Sequence, residues 1–406
     1  MVKPALYPPL ATLAMHTPDQ LPATLPRPDY LLSLANLAAR LHGRHGVPPL
    51  QHALLDGLEE IETVILLLID GMGEAQLAEL APDGWLAHQP RTRLHSVFPS
   101  TTTAAITTLL TGAAPSEHGL LSWHVWAPQA GCIATPLPLR EHWRAEGEAL
   151  PDQTLAAALY TQPSALAGGD RRHYVLQPEY IADSQYSRHH GGAAEALPWH
   201  GYDALFAQLA ALARQPGRKF IYAYIPDLDS LMHHKGTRHP RAAQLLQRID
   251  AHCAALAVTL PASARLLVTA DHGQLDIPPE KLLFINDYPE LAAMLARPLW
   301  GEPRVAFCTP RPECRDAFPA SIEAALGHVL WVLKAEDVLA AQWFGPAPQH
   351  PQLAARAGDY VLLLKDDWGL LQMVDDSERP RLIGNHGGLS AAEMQIPLIV
   401  YQGTAG

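Results

Sequence analysis

Five residues of this chain pair reactive side chains with informative positions. Asp70 directly follows the apolar run TVILLLI (63–69), Asp229 and His233 follow KFIYAYI (219–225), and Asp271 and His272 follow RLLVTA (265–270). Each run is rich in Val, Ile, Leu or Tyr and bounded by polar or turn residues, the pattern of a strand buried in a parallel sheet. In an open parallel sheet the carboxyl ends of the strands share one edge, and ligands bind there. Three strand ends therefore deliver two Asp–His combinations and one further Asp to a single rim. A fourth element, SVFPSTTTAAITTLLTG (96–112), reads as a strand followed by a Ser/Thr-capped helix. The start of such a helix offers backbone N–H groups and a positive dipole end to an anion. Carboxylates and imidazoles gathered beside it are the side chains that hold divalent cations against an anionic substrate.

Taken singly, each piece has a structural reading. Asp–Gly after a strand is a common turn, PSTTT suits an N-cap, and Asp229 with His233 at i, i+4 suits a pair on a helix surface. Independent turns, however, have no reason to place a carboxylate or imidazole at successive strand ends. The elements that must position these groups are legible too. IPLIVY (396–401) reads as a fourth buried parallel strand, and DALFAQLAALAR (203–214) and AAQLLQRIDAHCAALAVTL (242–260) read as helices. Strands alternating with helices predict an α/β fold, a three-layer αβα arrangement around a mainly parallel sheet. Pro, Gly and Trp interrupt the alternation at about 124–200 and 277–380. These stretches read as insertions or a cap on one domain spanning 1–406.

A chain of 406 residues, 48 % hydrophobic and 17 % charged, can bury a sizeable core, which argues against global disorder. Its net charge of -12 repels polyanions, so a nucleic-acid polymer is not the expected partner, and an anionic substrate needs local positive charge. Cys132, Cys253, Cys308 and Cys314 form no CxxC pair, which removes a thiolate zinc site. The N-terminal residues have no unbroken apolar run of signal-peptide type, and no run approaches the roughly 20 residues of a membrane span. A cytoplasmic protein with reduced thiols and no membrane partner is the expectation.

The motifs resemble those of the alkaline phosphatase superfamily, in its type I phosphodiesterase/nucleotide pyrophosphatase branch. They run in order as Asp70–Gly71, Phe98–Pro99 to Thr102, Thr111–Gly112 with His118–Gly119, Asp229…His233…Gly236, Asp271–His272–Gly273 and Gly384–Asn385–His386–Gly387. The resemblance implies two divalent ions, zinc or else manganese. One would be held by Asp70, Thr102, Asp271 and His272, the other by Asp229, His233 and His386. It also implies that Thr102 is the nucleophile, forming a phospho-threonine intermediate that water then hydrolyses. Family spacing sets the nucleophile nine residues before Thr111, which selects Thr102 over Thr101 and Thr103. Spacing likewise selects Asp229 over Asp227. His118 is read as structural, and His234 as lying outside the ligand set.

The chain departs from that branch around the nucleophile. The aromatic residue and the Asn that usually follow the nucleophile are here Thr103 and Ala105, and a second, phosphoryl-binding Asn is replaced by Trp123. Ser122, Trp123 and His124 become the candidate substrate contacts, with Ser122, His124 or the helix start supplying the missing donor and Trp123 shaping the leaving-group pocket. The Tyr- and His-rich stretch 173–192 lies where the family places substrate-contacting insertions. No Lys or Arg lies in the 96–112 segment, although Arg171, Arg172, Arg188 or Arg304 could fold back over the site. The expected activity is hydrolysis of a small phosphodiester or phosphoanhydride. A phosphomonoesterase, phosphomutase or phosphonate hydrolase is the alternative within the superfamily, and a non-catalytic metal-binding scaffold the alternative outside it. A sulfatase is disfavoured, because the nucleophile turn holds no Cys.

Overall fold

The computed structural model describes residues 15–43, 46–346, 348–375 and 378–404. Its centre is a seven-stranded sheet in the spatial order Arg91–His95, Gln395–Gln402, Ala264–Thr269, Thr63–Ile69, Lys219–Ile225, Arg172–Leu176 and Glu195–Ala196. The three innermost apolar runs pair in parallel, Thr63–Ile69 lying between the other two. Every residue of Thr63–Ile69 and Lys219–Ile225 is buried, as expected for strands covered on both faces. Two groups of mutually packed helices cover the sheet. One comprises Glu74–Leu80, Tyr202–Arg214, Asp227–Lys235 and Pro240–Ala257, and the other Leu34–His42, Thr102–Thr111, Pro115–His118 and Gln185–Gly191.

Three expectations need correction. Gln395–Gln402 is antiparallel to both of its neighbours. Its first residue pairs with His95, the last residue of Arg91–His95, so the chain enters this strand from the site rim and does not leave from it. The strand expected within 96–112 lies just upstream, at Arg91–His95, and residues 96–100 are irregular. Only Leu94 of that strand is fully buried, so RTRLH carries no apolar signal. Finally, the stretch 124–200 is not all insertion. Arg172–Leu176 and Glu195–Ala196 form one edge of the central sheet, the outer of them solvent-exposed.

The remainder of 124–200 begins with a three-stranded antiparallel sheet, Val125–Ala127, Cys132–Thr135 and Arg140–Arg144. The stretch 277–380 contains a four-stranded antiparallel sheet in the order Trp300–Glu302, Val305–Cys308, Tyr360–Leu364 and Leu330–Lys334. Period-2 alternation sorts its residues onto two apolar faces. Val305, Phe307, Val361 and Leu363 pack with Phe98, Leu121, Leu389 and Met394, which lie near Thr102, His118 and His386 in the sequence. Ala306, Cys308, Leu362 and Leu364 pack with the helix Phe318–Leu326. This second sheet therefore packs against Phe98 in the turn that leads to Thr102. All four cysteines are free thiols. Among the described residues, no helix is long and apolar enough to cross a membrane.

Candidate active site

Three strand ends meet as the sequence predicts. Asp70 follows its strand into a turn at Gly71, whose φ of +73° suits glycine. A Cβ on Gly71 would also fall 3.1 Å from the Asp229 Cα, so the turn can come this close to the next strand end only with glycine. Asp229 occupies the first turn of Asp227–Lys235, and His233 lies one turn further along the same helix. The late loop before Gln395–Gln402 brings His386 to the same rim. Two groups of ligand atoms result, each with its members within 4.8 Å of one another: Asp70, Asp271 and His272, and Asp229, His233 and His386. The rings of His272 and His386 join the two groups, stacking at 3.7 Å between centroids.

All three imidazoles present the same nitrogen to the site. His233 Nδ1 lies 2.7 Å from Gly384 O, His386 Nδ1 3.1 Å from Ser100 O, and His272 Nδ1 3.1 Å from Gly273 O. A carbonyl only accepts, so Nδ1 carries the proton and the Nε2 lone pair faces inward, the tautomer that binds metals. Burial, then His272 and His233, push His386 well below the usual imidazole range, which keeps it neutral.

The carboxylates are restrained in the same way. Tyr224 donates its hydroxyl proton to Asp70 Oδ2, and Gln274 donates an amide proton to Asp229 Oδ1. Gly71 N and His272 N donate to Asp271 Oδ1 at 3.1 and 3.0 Å. The other oxygens, Asp70 Oδ1 and Asp271 Oδ2, are buried without a hydrogen-bond partner. They lie 3.5 and 3.3 Å from His272 Nε2. Burial, then Asp271 and Asp229, hold the Asp70 carboxyl well above its usual range. Lone pairs of like sign converging in a dry pocket are repulsive until a cation lies between them. The donor set therefore fits divalent cations, with oxygen and imidazole ligands and no thiolate.

Thr102 is the first residue of the helix Thr102–Thr111, and its hydroxyl lies 3.0 Å from His272 Nε2. With that nitrogen unprotonated, Thr102 is the donor. The neighbouring threonines turn elsewhere. Thr101 donates to Glu302 Oε1, and Thr103 Oγ1 is buried without a hydrogen-bond partner. Asp227 Oδ2 accepts from Tyr202 at 3.0 Å and belongs to neither group. His118 is buried between Thr108 and Leu120 N, while His234 faces solvent.

The candidate substrate contacts separate. Ser122 donates to the His124 carbonyl at 2.6 Å, which commits its proton internally. Trp123 is 41 % exposed, and its backbone N–H donates to Glu302 Oε1 at 2.6 Å. His124 stacks on His142 at 3.8 Å. In the stretch 173–192, Tyr186 packs against the helix Thr102–Thr111, 2.8 Å from Thr107 Oγ1. The four arginines that could have covered the site are tied elsewhere. Arg171 donates to backbone carbonyls, Arg172 pairs with Glu195, Arg188 with Asp183 and Arg304 with Glu393.

Sequence reasoning missed Tyr224, Gln274 and Glu302. Gln274 directly follows Asp271–His272–Gly273 and Tyr224 lies inside an apolar run, so both were near the signal. Glu302 arrives from the second sheet with no motif around it. Burial raises its carboxyl to about 7.

No curated protein sequence matches this chain significantly. Among solved structures, the fold is similar to murine ectonucleotide pyrophosphatase/phosphodiesterase 5, with a TM-score of 0.61 at 19 % identity over 83 % of this chain and 87 % of that one. An inactive threonine-to-alanine form of the murine protein, in complex with AMP, aligns with the same TM-score of 0.61, 19 % identity and coverage of 83 % and 87 %. Phosphonoacetate hydrolase from Sinorhizobium meliloti 1021, in complex with phosphonoformate, gives a TM-score of 0.60 at 18 % identity over 85 % and 91 % of the two chains. The sequence profile of one family matches residues 64–389, from the first central strand to the loop beyond His386. With that span and the site geometry together, the chain belongs to the type I phosphodiesterase/nucleotide pyrophosphatase family, enzymes that hydrolyse phosphate esters.

Proposed function

We propose that this enzyme hydrolyses a small phosphodiester or phosphoanhydride, with Thr102 as nucleophile beside two divalent ions, zinc in the first instance. Asp70, Thr102, Asp271 and His272 would hold one ion, and Asp229, His233 and His386 the other. The observation that carries the proposal is the Thr102 hydroxyl, 3.0 Å from His272 Nε2 at a helix start. When bound, the ions supply the positive charge that lowers the pKa of a threonine hydroxyl and offsets charge on the phosphoryl group. Thr102 Oγ1 attacks phosphorus, the ester oxygen departs as an alcohol or phosphate, and a phospho-threonine remains. Water then attacks that phosphorus, releasing the phosphoryl product and restoring the hydroxyl. Backbone N–H groups at the start of Thr102–Thr111 point at the transferring group, because the first turn of a helix leaves them without intrahelical partners. Support also comes from the murine relative, whose threonine-to-alanine form is described as inactive.

A diester carries one negative charge, and a monoester brings another that superfamily phosphatases usually meet with an added cation. Here Arg171, Arg172, Arg188 and Arg304 are all engaged with other groups of the protein, which favours the diester. A second reading, phosphonate hydrolysis, is favoured by the fold similarity to phosphonoacetate hydrolase. One substrate panel tests both: bis-p-nitrophenyl phosphate, p-nitrophenyl phosphate, nucleotide phenylphosphonates and phosphonoacetate, each with zinc and with manganese. A higher kcat/KM for the diester than for the monoester is expected, and a clear monoester preference sinks the diesterase reading. The free thiols of Cys132, Cys253, Cys308 and Cys314 suit a reducing, cytoplasmic setting.

A further inference from the structure

Thr101 stands immediately before the helix Thr102–Thr111, in the N-cap position. A threonine hydroxyl there ordinarily accepts from a backbone N–H of the first turn. Thr101 makes no such capping bond. Its hydroxyl donates instead to Glu302 Oε1, a buried carboxylate that lies 201 residues later in the chain.

Glu302 is aimed at this point by its surroundings. Gly301 and His124 form a two-way backbone bridge, Gly301 N donating to His124 O at 3.0 Å and His124 N to Gly301 O at 3.3 Å. Beside that bridge, Trp123 N donates to the same Glu302 Oε1 at 2.6 Å. A Cβ on Gly387, the neighbour of His386, would fall 2.8 Å from the Glu302 Cβ, so the late loop packs directly on this side chain. One oxygen thus ties the residue before Thr102 to the 122–124 segment.

The helix start matters because other donors are spent. Ser122 donates to the His124 carbonyl, and the His124 ring lies against Thr135 and His142. Of the groups expected to replace the Asn that the family uses, this leaves the first-turn N–H groups of Thr102–Thr111. An N-cap hydroxyl folded onto those groups would be a rival that a phosphoryl oxygen has to displace.

We propose that Glu302 is a positioning residue that holds the Thr101 hydroxyl off the helix start, keeping the first-turn N–H groups open to the phosphoryl group of the substrate. The proposal rests on the reading of Thr102 as nucleophile and deepens it. Glu302 acts through Thr101, with Trp123 N as its second anchor, and touches neither substrate nor metal.

Two measurements on the full chain, reconstituted with zinc, test it. Both compare the parent with Glu302→Gln, Glu302→Met and Glu302→Met/Thr101→Ala, the fold of each being checked by circular dichroism. The first is the Kd for inorganic phosphate by calorimetry. Glu302→Gln keeps an acceptor for Thr101 and should stay within about threefold of the parent. Glu302→Met frees the hydroxyl to cap the helix and should weaken phosphate about tenfold, within the range that an N-cap contributes. Removing that hydroxyl as well should bring the affinity back to within about threefold, because nothing is left to fold onto the helix. The second is kcat/KM for bis-p-nitrophenyl phosphate, which should follow the same order. Should Glu302→Met fail to fold, Glu302→Asp takes its place, since its carboxylate stops one methylene short of Thr101. A double variant that binds no tighter than Glu302→Met overturns the proposal. So does Glu302→Gln as weak as Glu302→Met, or a parent that binds no phosphate. If phosphate binding follows the expected order while the parent cleaves no diester, the phosphodiesterase reading falls and the role of Glu302 stands.

Discussion

Removing the Glu393 carboxylate should destabilise the fold and loosen the metal site together. Glu393 and Arg304 are 0 % and 1 % exposed, and Arg304 donates to both carboxylate oxygens, at 3.1 and 3.3 Å. The same carboxylate accepts from Gly388 N at 2.8 Å and Ser390 N at 3.2 Å, so it also shapes the loop just beyond His386. Glu393→Ala leaves a buried guanidinium without its counter-charge, which typically costs about 3–5 kcal/mol. Arg304 keeps the carbonyls of Lys365 and Trp368 as partners, which favours the lower end, about 3–4 kcal/mol. For 406 residues, unfolding entropy of roughly 2.1 cal/mol/K per residue converts this to a Tm loss of about 4 °C. Thermal unfolding of metal-free protein, followed by circular dichroism, reads that loss directly. Metal affinity should fall about 10–100-fold, the usual effect of losing a group that orients a ligand. The double variant Arg304→Met/Glu393→Met, which removes both charges and keeps apolar volume, should recover most of the Tm. A single variant within about 1 °C of the parent, or a double variant no more stable than the single, would refute the reasoning.

Metal analysis after reconstitution should give two divalent ions per chain, and saturation at 100 times Kd should raise stability by about 2.7 kcal/mol for each independent site; one ion or none counts against the ligand sets. Thr102→Ala should lower kcat by about a thousandfold or more with the fold intact, whereas Thr101→Ala and Thr103→Ala stay within about tenfold, as single-turnover kinetics will show. If Thr103→Ala is the inactive variant, the register is wrong. Glu302 adds a pH dependence. Its folded value of about 7 lies above the ordinary glutamate value of 4.5, so the native state holds a proton that the unfolded state releases first. Stability should therefore fall as pH rises from about 4.5 to 7, by roughly 3 kcal/mol if the whole shift is expressed. Glu302→Gln, which keeps the acceptor for Thr101 and Trp123 N, should be the more stable protein at pH 8 and near parity at pH 4.5. Equal Tm differences at the two pH values would exclude this linkage.

How much the sequence disclosed follows from the physics of each element. Asp70, Asp229, Asp271 and His272 were legible because a buried parallel strand announces itself by an apolar run, and its carboxyl end faces the ligand edge. His386 could be named only by resemblance, since it precedes an antiparallel strand and no strand-end rule points to it. Arg91–His95 went unseen because an edge strand with a single fully buried side chain has no periodicity to detect. The neutral, inward-facing imidazoles depend on backbone carbonyls at Gly384, Ser100 and Gly273, contacts that exist only once the loops have folded. Glu302 lay furthest from view. It sits where a second sheet meets residues some two hundred positions earlier in the chain, and composition cannot reveal such a meeting.

The antiparallel insertion of Gln395–Gln402 between Arg91–His95 and Ala264–Thr269 has a consequence for how the enzyme comes into being. Until that strand docks, Arg91–His95 has no neighbour in the sheet, the turn from it to Thr102 lacks its sheet anchor, and His386 is absent from the rim. A chain still emerging from the ribosome can fold its parallel centre from residues up to 269, yet it remains chemically silent. Contacts this distant in sequence close slowly, so the Asp229, His233 and His386 group should be completed late, after Asp70, Asp271 and His272 have come together.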